Sequence, residues 1–469
     1  MNSSEQFKHY TEKVCEQIRW KKAHGMVAKE IENHLIDQKN AYMDMGDNES
    51  TAEEKALLQM GDPVAVGAAL DGTHKPAPQW GMMGLVMVLF AVGACIQFLF
   101  LTDILDVGYR NSAYSIPLTA ALFLLCFTAF IVAYFIDFSF FGKHPYLLPI
   151  LLIVVDILAQ LIGAESNGSY RWLILGPFSI SPISISIIFP FAFCGILYRL
   201  RSKGKHGYLL SGVIAAAFCL VLLTFHSSGG ILLFLFSAGI LMITAAKKGW
   251  FGENTKPILL FLFVIGIIVM VVLLYTIPFR YRLARLVYII HPEADPYGYG
   301  YMPSVLQCML ENSVFLGKGT PFLEWDVYKV ILPTMYRTDY LLTFITYQYG
   351  WAVSIAIMLL LTVFLIFGFR KCFRQRSVLG QMVSLCILCT YTAEVLIYVL
   401  VNLGYPIVAP IALPFLSYGT TALLLNMALA GILLSTFRTG EVYQDKIKPV
   451  LHESKFIQWD DGKLIISFK

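Results

Sequence analysis

The chain has 469 residues, 57% of them apolar and only 14% charged, with a mean hydropathy of +0.66. Those values exclude an ordinary soluble domain and make the bilayer the solvent against which the chain must be read. A formal net charge of +4 is too small to imply a nucleic-acid partner, so what matters is where the basic residues sit.

Residues 1–78 differ from the rest, being charged and helical in pattern, with apolar Val27, Ile31 and Leu35 at i, i+4 and i+8. The spacing predicts a small cytosolic helical domain. Its run of EIENHL, an acidic turn at Gly46, Asp47 and Asn48, and a helix ending in MGDP resembles the prefix domain found ahead of some Gram-positive membrane permeases. An amphipathic regulatory arm is the competing reading. The first residues, MNSSEQFKHY, lack the apolar core of a secretory signal, so insertion is expected to begin at an internal helix.

From Trp80 onward, apolar runs near the ~20 residues needed to cross a bilayer follow one another with short polar breaks. Spans are predicted at 81–102, 114–136, 146–163, 179–198, 208–224, 229–246, 257–278, 340–368, 378–402 and 409–436. The fold class is therefore an all-α polytopic membrane protein of about ten transmembrane helices, followed by a cytosolic tail over 439–469.

Loop charge predicts the orientation, because Lys and Arg collect on the cytosolic side. The break after the fourth span carries Arg199, Arg201, Lys203 and Lys205; that after the sixth carries Lys247, Lys248 and Lys256; that after the eighth carries Arg370, Lys371, Arg374 and Arg376. Both termini are then cytosolic, and the long segment 279–339 lies outside. Loops of that length usually have a task.

Nine cysteines are scattered, most of them inside apolar runs, where they behave as small hydrophobes. Cys386 and Cys389 form a CxxC without a second ligand pair, which favours helix packing over a metal site. No metal ligand set is assigned, and no cluster decides whether a divalent cation takes part.

The outer segment is rich in cations: Arg280, Arg282, Arg285, Lys318, Lys329 and Arg337, joined by Arg171 in the loop after the third span. Basic residues outside run against the topological bias. A pyrophosphate at the outer leaflet would account for them, because Arg forks bind phosphate oxygens in bidentate fashion. Headgroup contacts and loop salt bridges to Glu293, Asp295 and Glu324 are the alternative.

Five segments occur in an ordered series: NGSYRWLILG from Asn167, YRLARLVYIIHPEADPYGYGY from Tyr281, LGKG from Leu316, LPTMYRTDYLL from Leu332 and ALPFLSYGTT from Ala412. In these motifs the chain resembles the SEDS family, the FtsW/RodA/SpoVE proteins, over most of residues 80–437. The resemblance implies a ten-helix glycosyltransferase that polymerises lipid II in division, elongation or sporulation, working with a class B penicillin-binding protein. It also implies an essential carboxylate ahead of the eighth span, which falls on Asp339.

A carboxylate so placed can take the proton of an attacking sugar hydroxyl. Arg171, Arg282, Arg285, Lys318 and Arg337 are candidates to stabilise the departing pyrophosphate, with Thr338 beside the acid. Asp339 also suits the N-cap of a helix, which is compatible with catalysis. Pro410 and Pro414 interrupt the last span and free backbone groups that need protein or water, so Ser417 and Tyr418 are expected near a cavity.

Two departures stand out. Where most members of the family read QPSE followed by a Lys, this chain has Ser181, Pro182, Ile183 and Ser184, then Ile187; where most carry a Glu pair, it has Tyr347, Gln348, Tyr349 and Gly350. The acid and base are lost together, which avoids an unpaired membrane charge. Asp156 and Glu394 remain as intramembrane acids and are functional candidates by default. A non-catalytic scaffold activating a penicillin-binding protein, or a transporter of a lipid-linked precursor using these two acids, are the competing readings.

Overall fold

A computed structural model describes residues 3–106, 115–166, 169–175, 178–224, 227–252, 266, 287–289, 291–295, 298, 300–321, 337–408, 411–440, 445, 457–460 and 463–466. The chain divides into two compact units.

The first comprises Met1–Gln79 with Gln375–Ser377 and Phe437–Lys446. Four helices build most of it: α1 (Ser3–Glu16), α2 (His24–Asp44), α3 (Glu49–Met60) and α4 (Pro63–His74). The apolar spacing read in α2 has its structural counterpart, with Val27, Ile31 and Leu35 buried against Phe7, Tyr10 and Val14 of α1. Both later helices begin on a side-chain cap: Asn48 accepts from the Thr51 amide and Asp62 from the Ala65 amide, with Pro63 at the first helical position. Asp71 of α4 accepts from both the backbone amide and the guanidinium of Arg19, each at 2.9 Å, closing the end of α1 onto α4.

The second unit holds the apolar helices, in order α5 (Trp80–Asp106), α6 (Ile116–Phe135), a short α7 (Ser139–Lys143) and α8 (Leu147–Ile162). A small antiparallel sheet follows, β1 (Ala164–Ser166), β2 (Ser169–Leu175) and β3 (Phe178–Ile180), then α9 (Pro182–Ser186), α10 (Phe189–Leu200), α11 (Gly204–Thr224) and α12 (Ser228–Lys247). After the long segment come α13 (Tyr301–Glu311), α14 (Leu341–Tyr349), α15 (Trp351–Arg374), α16 (Val378–Asn402) and α17 (Thr420–Thr439); Ile457–Asp460 and Lys463–Ile466 pair as a hairpin, β4 and β5.

Among the described residues, seven helical stretches are long and apolar enough to cross a membrane, and α8 is a shorter apolar helix. One of the seven, Ser184–Thr224, is 41 residues long, twice a single crossing, and is interrupted at Arg201–Lys203 by a 3-10 turn. The span predicted at 257–278 lies outside the described residues apart from Gly266. This is a multi-pass, predominantly helical membrane protein.

The span predicted at 340–368 is instead two helices. Gly350 has φ +94, and a Cβ there would lie 2.6 Å from the Phe315 carbonyl oxygen, so the turn after α13 packs into the break between α14 and α15. The last predicted span is also interrupted: residues 411–419 are not helical, and α17 starts only at Thr420. Within the bundle α16 is the enclosed helix, with 78% of its apolar window buried against 28% for α15. What α16 presents at its far end therefore decides the local chemistry.

Candidate functional site

The end of α16 meets two non-helical stretches of the same unit, 338–340 and 411–419, and the first turn of α14. Their backbone polar groups, lacking helical partners, are taken up by side chains. The Tyr398 hydroxyl donates to the Thr338 carbonyl at 2.9 Å and accepts from the Leu341 amide at 2.9 Å. Asn402, one turn further along α16, donates to the Asp339 carbonyl at 3.1 Å and accepts from the Thr343 amide at 3.0 Å. Asp339 is thereby fixed at the head of α14 by its own backbone rather than by its carboxylate.

Residues 411–419 are set by an unusual conformation. Phe415 has φ +70, a left-handed backbone that a bulky residue adopts at a cost of about 1–3 kcal/mol. It is held by edge contacts of its fully buried ring with Phe364, 5.5 Å between centroids, and by Tyr391 at 5.4 Å. Gly93 of α5 admits this turn, since a Cβ there would collide with the Phe415 carbonyl oxygen. The turn delivers Ser417, whose hydroxyl donates to the Thr338 carbonyl at 3.0 Å, and Tyr418, whose amide donates to the Arg337 carbonyl at 2.8 Å.

Arg337 is 1% exposed. Its Nε donates to Gln97 Oε1 at 3.1 Å and Nη2 reaches Thr119 Oγ1 at 3.5 Å, while the Tyr418 ring centre lies 4.0 Å from its guanidinium carbon. The Gln97 amide in turn donates to the Arg337 carbonyl at 3.0 Å and the Leu416 carbonyl at 2.9 Å, so one side chain of α5 binds both stretches.

Asp339 precedes α14 and lies outside the helices long enough to span. Burial pushes its carboxyl up to about 6, opposed by a hydrogen bond from the Thr338 side chain. A carboxylate tuned to that range is mostly ionised at neutral pH yet basic enough to accept a proton.

The structure thus brings together five of the residues singled out from sequence: Arg337, Thr338, Asp339, Ser417 and Tyr418. Lys318 is exposed on the turn after α13, whose Gly317 and Gly319 amides donate to the Tyr349 and Tyr347 carbonyls. Arg171 is the residue of β2 passed over between the pairs Ala164 with Trp172 and Glu165 with Tyr170, the extra residue of a bulge. Arg282 and Arg285 lie outside the described residues.

The two intramembrane acids are held locally. Asp156 accepts from Gln160 and from Thr224, both at 3.0 Å, and Glu394 accepts from Asn426 at 3.5 Å. Where the Glu pair is missing, the Tyr349 ring stacks on Phe100 at 6.0 Å and the Tyr347 hydroxyl donates to the Thr320 carbonyl. Ser181 caps α9 through the Ser184 amide. Among the described residues no three His, Cys, Asp or Glu side chains gather in a metal-holding group. Gln97, Thr119, Tyr398 and Asn402 were not singled out from sequence; Gln97 carried a usable signal, as a polar amide deep in an apolar run.

The family model for the FtsW/RodA/SpoVE cell cycle proteins matches residues 79–440. The chain belongs to this family. It is 28% identical over 340 residues to a protein named probable peptidoglycan glycosyltransferase FtsW of Pseudoalteromonas translucida, covering 69% of this chain and 80% of the relative. Stage V sporulation protein E of Bacillus subtilis is 25% identical over 294 residues, covering 61% and 76%. Among solved structures, a chain from work titled "Structural coordination of polymerization and crosslinking by a peptidoglycan synthase complex" superposes with a TM-score of 0.59 at 20% identity, covering 78% of this chain and 99% of that one. The rod shape determining protein RodA of Thermus thermophilus gives 0.50 at 16%, covering 78% and 98%. These two likenesses concern the fold. The FtsW/RodA/SpoVE match covers every residue of the site assembled above.

Proposed function

We propose that this FtsW/RodA/SpoVE protein is a peptidoglycan glycosyltransferase that polymerises lipid II at the outer face of the cytoplasmic membrane, with Asp339 as its general base. The observation that carries the reading is the position of Asp339: a carboxyl raised to about 6, clamped through its carbonyl to Asn402, two residues from a buried Arg. The naming of relatives as peptidoglycan glycosyltransferases supports the reaction class.

In the proposed step a sugar hydroxyl of one lipid-linked chain attacks the anomeric carbon of the other. The new C–O bond forms as the bond to the pyrophosphate oxygen breaks, and the hydroxyl proton passes to the Asp339 carboxylate. Such assistance is worth roughly 10² to 10⁴ in rate. Charge grows on the departing pyrophosphate, where fixed cations lower the barrier without reorganising. Arg337 supplies one such cation, held in place by Gln97, Thr119 and Tyr418; Arg171, Arg282, Arg285 and Lys318 are proposed to supply the others, and Ser417 to hold the backbone around Thr338.

The Lys and Arg distribution supports cytosolic termini and an external 279–339 segment. Division of labour with a penicillin-binding protein, which would cross-link the strands, is supported by the synthase-complex title of a structural neighbour. The domain reading is 1–78 as an interaction module, 79–438 as the polymerase and 439–469 as a tail.

Purified protein given fluorescent lipid II, alone and with a class B penicillin-binding protein, tests the proposal. Glycan strands resolved on a gel are expected. No polymer from this protein in either sample, together with faster cross-linking by the partner, would instead favour the scaffold.

A further inference from the structure

A cavity of about 230 Å³ lies beside the candidate site, enclosed by α13, α14, α15 and α16. Its walls include Leu342 and Thr343, three and four residues after Asp339, and Asn402, the residue that clamps the Asp339 carbonyl. On the other side it opens past Ile355 and Leu359, which are 47% and 60% exposed on the face of a membrane-spanning helix. The cavity therefore runs from the residue that clamps the Asp339 backbone to the outward face of a membrane-spanning helix.

Its hydroxyl and carboxamide groups are all committed within the protein. The Thr343 hydroxyl donates to the Asn402 carbonyl, Thr346 to the Leu342 carbonyl, Ser354 shares a 2.7 Å hydrogen bond with Thr346, and Thr362 donates to the Met358 carbonyl. The Asn402 amide is spent on the carbonyls of Asp339 and Tyr398. No hydroxyl or carboxamide of the lining is left to demand a hydrogen bond, so the cavity suits neither a sugar nor a peptide. It exceeds the roughly 150 Å³ of an apolar cavity that stays dry and takes up a benzene-sized hydrocarbon.

We infer that this cavity binds the polyprenyl chain of the lipid-linked substrate, seating its first branched units between α14, α15 and α16 while the pyrophosphate end stays at Asp339. This rests on the polymerase reading and adds to it where the lipid lies. The occupant is the polyprenyl chain rather than a phospholipid acyl chain because one wall of the cavity is Asn402, the residue that holds the Asp339 backbone. A chain covalently joined to the reacting sugar must pass from that point into the membrane, and the cavity supplies such a path.

A methionine-sized diazirine amino acid at Met358, in the full chain held in phosphatidylglycerol nanodiscs with radiolabelled lipid II, tests this directly. A labelled adduct is expected that is competed by undecaprenyl phosphate and is absent when the probe sits at Leu220, 56% exposed on α11. Equal labelling at both positions, adducts with phosphatidylglycerol alone, or insensitivity to undecaprenyl phosphate would overturn the assignment. In a folded Met358→Trp variant, which fills the cavity, KM for lipid II should rise about tenfold with kcat little changed; an unchanged KM contradicts it. Polymer assayed in the same nanodiscs separates the two claims: polymer without the Met358 adduct sinks this inference alone, and the adduct without polymer sinks the polymerase reading alone.

Discussion

The Arg337 guanidinium carbon sits 4.0 Å from the centre of the Tyr418 ring, and the Tyr418 amide donates to the Arg337 carbonyl at 2.8 Å. Two stretches about eighty residues apart in sequence are thus joined by one cation–π contact and one backbone hydrogen bond. Tyr418→Phe keeps the ring and should keep most polymerisation. Tyr418→Leu removes the contact, worth about 0.5–2 kcal/mol, and should lower both the thermal stability of the purified protein and kcat. Equal loss in both variants would show that the hydroxyl matters and the ring face does not.

At Gly350 the backbone, φ +94 and ψ 164, occupies a region open essentially to glycine alone. Gly350→Ala should destabilise by at least about 1–3 kcal/mol, because the new methyl group also meets the Phe315 carbonyl oxygen and Leu316. Thermal unfolding in detergent measures it. Gly239→Ala in α12, where a Cβ meets nothing within 4 Å, is the control and should be nearly silent.

Loop charge predicts the topology. In a background with Cys95 and Cys308 replaced by Ala, Lys318→Cys should react in intact cells with a membrane-impermeant thiol reagent, and Lys205→Cys only after the cells are opened. The reverse pattern would invert the whole chain and remove Asp339 from the outer face.

Much of this was legible from sequence because a membrane chain writes its exceptions plainly. Asp339 lies in a motif that resembles the FtsW/RodA/SpoVE proteins, Tyr418 follows the helix-breaking Pro410 and Pro414, Arg337 is one of the cations of the long segment, and the Lys and Arg cluster around Arg201 marks the turn between α10 and α11. The partners that hold the site were not legible. Gln97 meets Arg337 across 240 residues and Asn402 meets Asp339 across 63, and neither pairing leaves a local period. The break at Gly350 was missed although Tyr347, Gln348 and Tyr349 interrupt the apolar run; what fixes it is contact with Phe315, which a local window does not contain. The left-handed Phe415 is likewise a product of packing, imposed by Phe364, Tyr391 and the close approach of Gly93.

The pH dependence carries a sign. Burial raises the Asp339 carboxyl from an ordinary 3.8 to about 6, so its ionised form is disfavoured in the folded protein. Its contribution to stability is full below pH 3.8 and is lost as pH rises through about 6, the reverse of a salt-bridged acid. Catalysis needs the ionised form, so kcat should fall on the acid side with an inflection near pH 6. An inflection near 4 would show a solvated carboxylate.

The same tuning makes Asp339→Asn the most direct test. Asn fits the space, retains the backbone clamp to Asn402 and carries no charge to desolvate, so near neutral pH the variant should melt no lower than the parent. It has no proton acceptor, and its kcat for lipid II polymerisation should drop by roughly 10² to 10⁴. Asp156→Asn and Glu394→Gln should lose far less. A stable, inactive Asp339→Asn protein is the predicted result; polymerisation of lipid II by that variant at near the parental rate would contradict the account.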